Sequence, residues 1–448
     1  MGMRLALWGD CAGGGEFSAR PIDWQRRPII AKHGIASAPA RHGKVKPRGP
    51  FGAVVSLVAV VVAVLLVSAG SVAAVAVWNI ASNAKPGVHL ATLPGHTSGP
   101  IPQIDAIAGG VNLLLTGTDT RTGQGGVYQT KDELAGSSGA GNNDVTMLLH
   151  IAQNHQSVTV VSFPRDLEVA VPSCPLGNGH SRPAASKVMI NTTLSRGGLS
   201  CTVLTVEQLT GLTIPFAAEI SFDGVSAMSD AVGGVTVCLA SAVKDNYTTP
   251  PLDLAAGQQT LVGPKALSFL RSRHGVADGS DLARISNQQV FMAALARKVT
   301  SAGVLSNPLT LYSLAKAAVK NLTLSDTLTS PVTLVQIGLA LKNVGLSNMV
   351  FLQYPTVADP ANVNRVIAMT SAATVLNAAL VADSPITLSG KPGRAAVLSP
   401  TSPAGASPTT PTSTPTAPPA GGNAAVVLPS TVSGQTASQE TCTKGNGR

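Results

Sequence analysis

Charged side chains make up only 12% of this 448-residue chain, so the places where they gather are informative. Five groups stand where an apolar run ends: Asp119 with Arg121, Asp144, Arg165 with Asp166, Arg271 with Arg273, and Asp281 with Arg284 and Gln288. Loops that leave a rigid scaffold at such points commonly carry function. Several arginines with a few aspartates, without a Ser-His-Asp order or a nucleophilic cysteine, form a set suited to phosphates. A guanidinium fork grips phosphate oxygens through two parallel hydrogen bonds, keeps its charge, and stabilises charge that develops at phosphorus. Carboxylates such as Asp119 and Asp144 can hold Mg²⁺, a cation that keeps waters and shares phosphate oxygens. The competing expectation is that Arg165-Asp166 and Asp281-Arg284 are surface ion pairs, which contribute little.

The elements that must position these residues follow from periodicity. Val111 to Leu115 predicts a strand that runs into the polar turn TGTDTRTG. The runs VTMLLHI and SVTVVSFP, parted by Gln153 to Gln156, predict an antiparallel hairpin. Helices are expected over Thr202 to Leu209, Phe222 to Val232, Pro264 to Leu270 and Asp281 to Val299, the first two ending before glycine. In the last of these, Ile285, Met292, Leu295 and Val299 form an apolar stripe, while Asp281, Arg284 and Gln288 share another face at i, i+3 and i+7. Arg271 and Arg273 are two apart, so both face one ligand only where the backbone is extended beyond the helix end. Strands and helices in mixed order predict an α/β fold, a mixed central sheet sandwiched by helices.

The flanking segments have a different character. Residues 51–77 are uncharged and apolar for longer than the roughly 20 residues a bilayer-spanning helix needs, and predict one transmembrane helix. Arg41, Lys44, Lys46 and Arg48 precede it and Lys85 alone follows closely, which predicts a cytoplasmic N-terminus and everything after the span outside the cell membrane. The formal charge is +9, but residues 1–50 hold nine Lys or Arg against three acids, leaving +3 for the remainder. That basic tail suits a membrane surface, and with aromatics at 3% there is no base-stacking platform, so no nucleic-acid partner is expected. Residues 78–105 predict an extracellular spacer, 106–385 the catalytic domain, and 386–448, rich in Ser, Thr, Pro and Ala, a disordered tail. Cys174, Cys201, Cys238 and Cys442 all follow the span, where disulfides persist. Three pairings are open, and Cys174 with Cys201, closing a short Gly/Pro-rich excursion, is favoured.

The strings NLLLTGTDTR, NNDVTMLLHI, VTVVSFPRDLEVAVPSC, KVMINTTLSRGG, FDGVSAMSDAVGGVTVCL and LDLAAGQQTLVGPKALSFLRSRHG, with DLARISNQQ, occur in that order. Together they resemble the LytR-CpsA-Psr family, from about residue 105 to 300 and more weakly to 385. The resemblance implies a membrane-anchored phosphotransferase that moves a glycopolymer from a polyprenyl-pyrophosphate carrier onto peptidoglycan as a phosphodiester, with Mg²⁺ at the pyrophosphate. Carried over by position, it implies Asp119 and Asp144 as metal ligands, Arg165, Arg271, Arg273 and Arg284 as catalytic, and Arg121 and Gln288 as substrate-binding; to these the residues themselves add Asp166 as a catalytic base and Asp281, on the shared helix face, as substrate-binding. Many members carry Arg or Thr where this chain has Asn143, and Phe163 replaces a commoner Ile or Val. Two other functions compete: hydrolysis of the pyrophosphate or of wall polymer at the same site, and a cell-envelope transcriptional attenuator. The last needs a basic recognition helix on the cytoplasmic side, and the Gly/Pro-rich segment before the span has no helical periodicity.

Overall fold

The computed structural model describes residues 49–82, 85–93, 109–125, 128, 130–135, 141–176, 179–301, 304, 308–342, 344–399 and 424–447. The basic tail to residue 48, half of the expected spacer and residues 400–423 lie outside the described residues. Pro50–Ser82 is a single helix with proline at its first position, where the missing N–H is not needed. Its Pro50–Ser68 portion has a mean hydropathy of 2.8 and is long and apolar enough to cross a membrane.

The folded unit is built on a seven-stranded sheet. Its strands are β1 (Val111–Thr118), β2 (Asn143–Ile151), β3 (Val158–Phe163), β4 (Phe216–Ile220), β5 (Leu322–Leu324), β6 (Met349–Gln353) and β7 (Gly434–Thr436), in the spatial order β5-β4-β1-β2-β3-β6-β7. The predicted hairpin is β2 with β3, antiparallel, pairing Leu148 with Val161. Strands β1 with β4 and β3 with β6 run parallel and the remaining neighbours antiparallel, so the sheet is mixed as expected.

Every residue of β3 is buried, which is why VTVVSF is mostly apolar with only the small hydroxyls Thr159 and Ser162 among it. Alternation along the strand sends Val161 and Phe163 into one layer, with Leu114, Leu148, Val206 and Leu376. Val158 and Val160 enter the other, with Phe216, Ala293, Val319 and Phe351. Helices Thr193–Thr210 and Thr370–Val381 supply the first layer, and Asp281–Ser301, Pro308–Asn321 and Pro331–Lys342 the second. Phe163 stacks on Tyr354 with ring centroids 5.0 Å apart, so the larger side chain found there is accommodated by aromatic packing.

The helix expected from Thr202 begins at Thr193 and is interrupted at Gly197 and Gly198. A Cβ on Gly197 would stand 2.8 Å from the Cys174 Cβ and 2.9 Å from the Cys201 Cβ, so glycine gives these cysteines room to meet. Their sulfurs lie 1.96 Å apart, the favoured pairing.

The C-terminal stretch corrects an expectation. Residues 386–399 and 424–447, expected as disordered, are folded where described. Ile386–Leu388 pairs with Val426–Leu428, Gly434–Thr436 is β7, and Thr441–Thr443 joins a second sheet ordered Gly257–Leu261, Val235–Leu239, Thr441–Thr443, Ala396–Leu398. These strands are too short to make a core of their own, and Ile386 and Leu428 pack into the main one. They fold by adding backbone hydrogen bonds to sheets that already exist, and Cys442 opposite Cys238 closes a disulfide at 2.00 Å. The domain expected to end at 385 therefore continues to 447.

Candidate functional site

Antiparallel pairing of β1, β2 and β3 brings the end of β1, the start of β2 and the end of β3 to one side of the sheet. Asp119, Asp144, Arg165 and Asp166 therefore leave the scaffold together. The Asp119 loop is fixed by its own carboxylate, since the Asn142 amide donates to Asp119 Oδ1 at 2.6 Å. Asn143 is wholly buried and is a structural hub. Its side chain donates to Thr146 Oγ1 at 2.8 Å and to the Ile190 carbonyl at 3.0 Å, and accepts from the Leu194 amide at 3.1 Å. An arginine or threonine could not reproduce that set, so the departure at this position is a packing solution and leaves Asp144 in place.

Helix Asp281–Ser301 supplies the other half. Arg284 Nη2 lies 2.6 Å from Asp281 Oδ1 and donates to the Asp144 carbonyl at 2.7 Å, with Nη1 3.7 Å from Asp144 Oδ2. Arg273 Nη2 reaches the same Asp281 Oδ1 at 2.8 Å. Arg165 Nη1 donates to Asp144 Oδ1 at 2.9 Å, and its Nε lies 3.5 Å from Asp166 Oδ1 and 4.0 Å from Asp281 Oδ1. The Asp281 and Arg284 side chains are only 9% and 6% exposed, so the surface-pair alternative fails for them. Burial alone would lower the Arg165 pKa, yet Asp144, Asp166 and Asp281 outweigh it and raise it. Arg273 is lowered, by burial first and then by the like charge of Arg284.

Arg271 stands apart from this network. Its guanidinium carbon sits 4.0 Å above the Phe222 ring centroid and Nη1 donates to Tyr128 Oη at 3.4 Å. It makes no ion pair with a carboxylate among the described residues. Burial lowers its pKa, and the positive charge of Arg121 adds to that. Asp144 acts electrostatically on Arg271 as well as on Arg273.

Gln288, expected to touch substrate, instead donates to the Leu270 carbonyl at 2.9 Å, and Asn287 donates to the Phe269 carbonyl at 2.7 Å. Both satisfy carbonyls at the end of helix Pro264–Arg271 that have no partner within the helix, and so fix where Arg271 emerges. Asp245 was not foreseen. Its buried Oδ2 accepts from Ser272 Oγ at 2.7 Å and from the Arg273 and Gly275 amides at 3.2 Å each. Arg365 was also not foreseen; its Nη1 lies 3.5 Å from Asp166 Oδ1. Neither sits in a motif, and the only signal for Asp245 is a carboxylate buried within a short strand, which sequence does not reveal.

Five arginines (165, 271, 273, 284 and 365) and four aspartates (144, 166, 245 and 281) thus gather here, an excess of one positive charge. No cluster of three or more metal-ligating side chains occurs among the described residues. Asp119 and Asp144, the second already shared with Arg165, are too few for a cage made by protein alone, and a Mg²⁺ held there would take most of its shell from phosphate oxygens and water.

A mixed α/β sandwich that gathers arginines in excess at one end of its sheet defines a phosphate-handling class of site. Residues 94–380 match the LytR_cpsA_psr family, and the chain belongs to that family. It is 32% identical over 313 residues to the cell wall biosynthesis protein LcpA of Corynebacterium glutamicum, covering 65% of this chain and 58% of that one. It is 32% identical over 299 residues to the probable cell wall biosynthesis protein LcpB of the same organism, covering 67% of this chain and 64% of the relative. The polyisoprenyl-teichoic acid–peptidoglycan teichoic acid transferase TagU of Oceanobacillus iheyensis is 33% identical over 187 residues, covering 41% of this chain and 50% of TagU. The chain thus spans about half to two thirds of the length of these relatives.

Proposed function

We propose that the protein transfers a glycopolymer, as its phosphate, from a polyprenyl-pyrophosphate carrier onto peptidoglycan. The observation that carries this function is Arg271, a largely buried guanidinium seated on Phe222 and Tyr128 with Arg121 nearby and no ion-paired carboxylate. A guanidinium so placed needs an anion, and a pyrophosphate supplies oxygens for its fork. Relatives named for cell wall biosynthesis and for teichoic acid transfer to peptidoglycan support the same class of polymer and acceptor.

In the proposed reaction Arg121 and Arg271 hold the pyrophosphate, and Arg165, Arg273 and Arg284 face the phosphorus under attack. A bond forms from an acceptor sugar hydroxyl to that phosphorus, the P–O bond to the carrier phosphate breaks, and polyprenyl phosphate leaves. Asp166, between Arg165 and Arg365 with its side chain 24% exposed, takes the hydroxyl proton. The arginines are already fixed by Asp144 and Asp281, so they stabilise the developing charge without reorganising. Asp119 and Asp144 would hold Mg²⁺, which when bound supplies charge neutralisation at the phosphate oxygens. Gln288 and Asp281 act by holding arginines in place.

The helix Pro50–Ser68 is proposed as a single membrane anchor, with the basic residues before it in the cytoplasm and the α/β domain outside. Incubating the purified full chain with labelled polyprenyl-pyrophosphate glycan and peptidoglycan tests the function. Label in the wall fraction through a phosphodiester, with polyprenyl phosphate released, is the expected result. Release of soluble glycan phosphate with no wall label would assign hydrolysis instead.

A further inference from the structure

The segment Thr441–Asn446 lies beyond the residues that match the family, yet it is bound to the loop that carries Arg273. The Ala277 amide donates to the Lys444 carbonyl at 3.0 Å, and the Asn446 amide donates to the Gly275 carbonyl at 2.9 Å. Asn446 Nδ2 donates to the carbonyl of His274, the residue next to Arg273, at 3.0 Å. A fourth contact runs through the helix that bears Arg284. Thr443 Oγ1 donates to Asn287 Oδ1 at 2.8 Å, and Asn287 in turn donates to the Phe269 carbonyl at 2.7 Å, two residues before Arg271. The segment is pinned by Cys442 to Cys238 and by strand pairing with Val235–Leu239.

Helix Pro264–Arg271 ends at Arg271, and Arg273 lies in the irregular loop between it and the helix starting at Asp281. Such loops are the mobile parts of a fold unless their backbone groups are tied down. Here one side is tied by Asp245, at the Arg273 and Gly275 amides, and the opposite carbonyls of His274 and Gly275 are taken by Asn446. Asp245 thus fills the donors and Asn446 the acceptors of the same short stretch.

We propose that Thr441–Asn446 is a strap that positions Arg273, with Asn446 and Thr443 as its positioning residues, so that turnover depends on a segment that never touches substrate. The proposal rests on the phosphotransferase function above. Asn446→Ala removes one neutral side-chain hydrogen bond, so kcat should fall roughly three- to tenfold. KM for the carrier substrate should stay within about twofold and the melting temperature close to wild type, because groups that bind the carrier and the disulfide remain. Asn446→Gln, which keeps an amide donor, should recover part of the loss. Amide hydrogen exchange over residues 273–279 should speed up in Asn446→Ala while exchange in the central sheet is unchanged.

The experiment uses the full chain in membranes or detergent, with polyprenyl-pyrophosphate glycan and peptidoglycan. A Cys238→Ser/Cys442→Ser pair provides the second variant, expected to lose kcat by more than Asn446→Ala. Wild-type kcat and unchanged loop exchange in Asn446→Ala would overturn the strap while leaving the transferase function standing. A wild-type chain that turns over no carrier would overturn the function, and the exchange measurement would still decide the strap.

Discussion

Asp281 and Arg284, one helical turn apart on a single helix, meet at 2.6 Å with both side chains almost fully buried. The same Asp281 oxygen receives Arg273 at 2.8 Å, so one carboxylate holds two guanidinium groups that would otherwise repel. Removing its charge leaves two buried cations with less compensation. Asp281→Asn should destabilise the domain by about 3 to 5 kcal/mol, the usual cost of taking one partner from a buried ion pair. Urea unfolding measures the loss, and a midpoint equal to wild type would contradict it.

Arg271→Lys tests the anion site separately from the fold. A lysine keeps the charge above Phe222 but loses the fork, so it cannot present two parallel donors to a phosphate. Polymer transfer should fall about a hundredfold, and the melting temperature should hold because no carboxylate depends on this side chain. Unchanged transfer would assign Arg271 to packing alone.

Metal binding should depend on the substrate. With Asp144 engaged by Arg165 at 2.9 Å, Mg²⁺ alone should bind weakly, and a short polyprenyl-pyrophosphate analogue should tighten it by supplying oxygens. Titration calorimetry with and without the analogue measures this. Asp144→Asn should remove the coupling, whereas equal Mg²⁺ affinity in both conditions would place the metal elsewhere.

The hairpin Thr356–Asp359 with Asn362–Ala368, which carries Arg365, should loosen in acid. Lys187 lies 2.5 Å from Asp359 and 3.1 Å from Glu168, and its ammonium holds the Asp359 carboxyl down to about 2. A carboxylate depressed in the folded state stabilises above its unfolded pKa, near 4, and that contribution is lost as pH falls from about 4 to about 2. Amide exchange across residues 356–368 should rise over that window, and Asp359→Asn should remove the pH dependence.

The arginine set was legible because each member ends an apolar run, and sequence needs only periodicity to show that. The helix face shared by Asp281, Arg284 and Gln288 was legible for the same reason. What Gln288 does was not, because the carbonyl it satisfies belongs to a different helix 18 residues earlier. Asp245 and Arg365 act through partners brought near by tertiary folding, and a carboxylate in a three-residue strand looks like any surface charge. The C-terminal strands were missed because each is short, and the edges, core and disulfide that hold residues such as Leu428 and Cys442 are supplied by other parts of the chain.

Both sheets wait for residues 434–443, because one is bounded by β7 and the other is bridged through Thr441–Thr443. Read from the N-terminus, Cys174 and Cys201 come first, and at 27 positions apart their loop closes readily. Cys238 then stays reduced until Cys442 emerges 204 positions later. With the local pair closed, the long-range pair has no other cysteine of the four to choose. The arginine site is therefore completed only when the far end of the domain is in place, and a chain lacking that end would carry an open sheet edge.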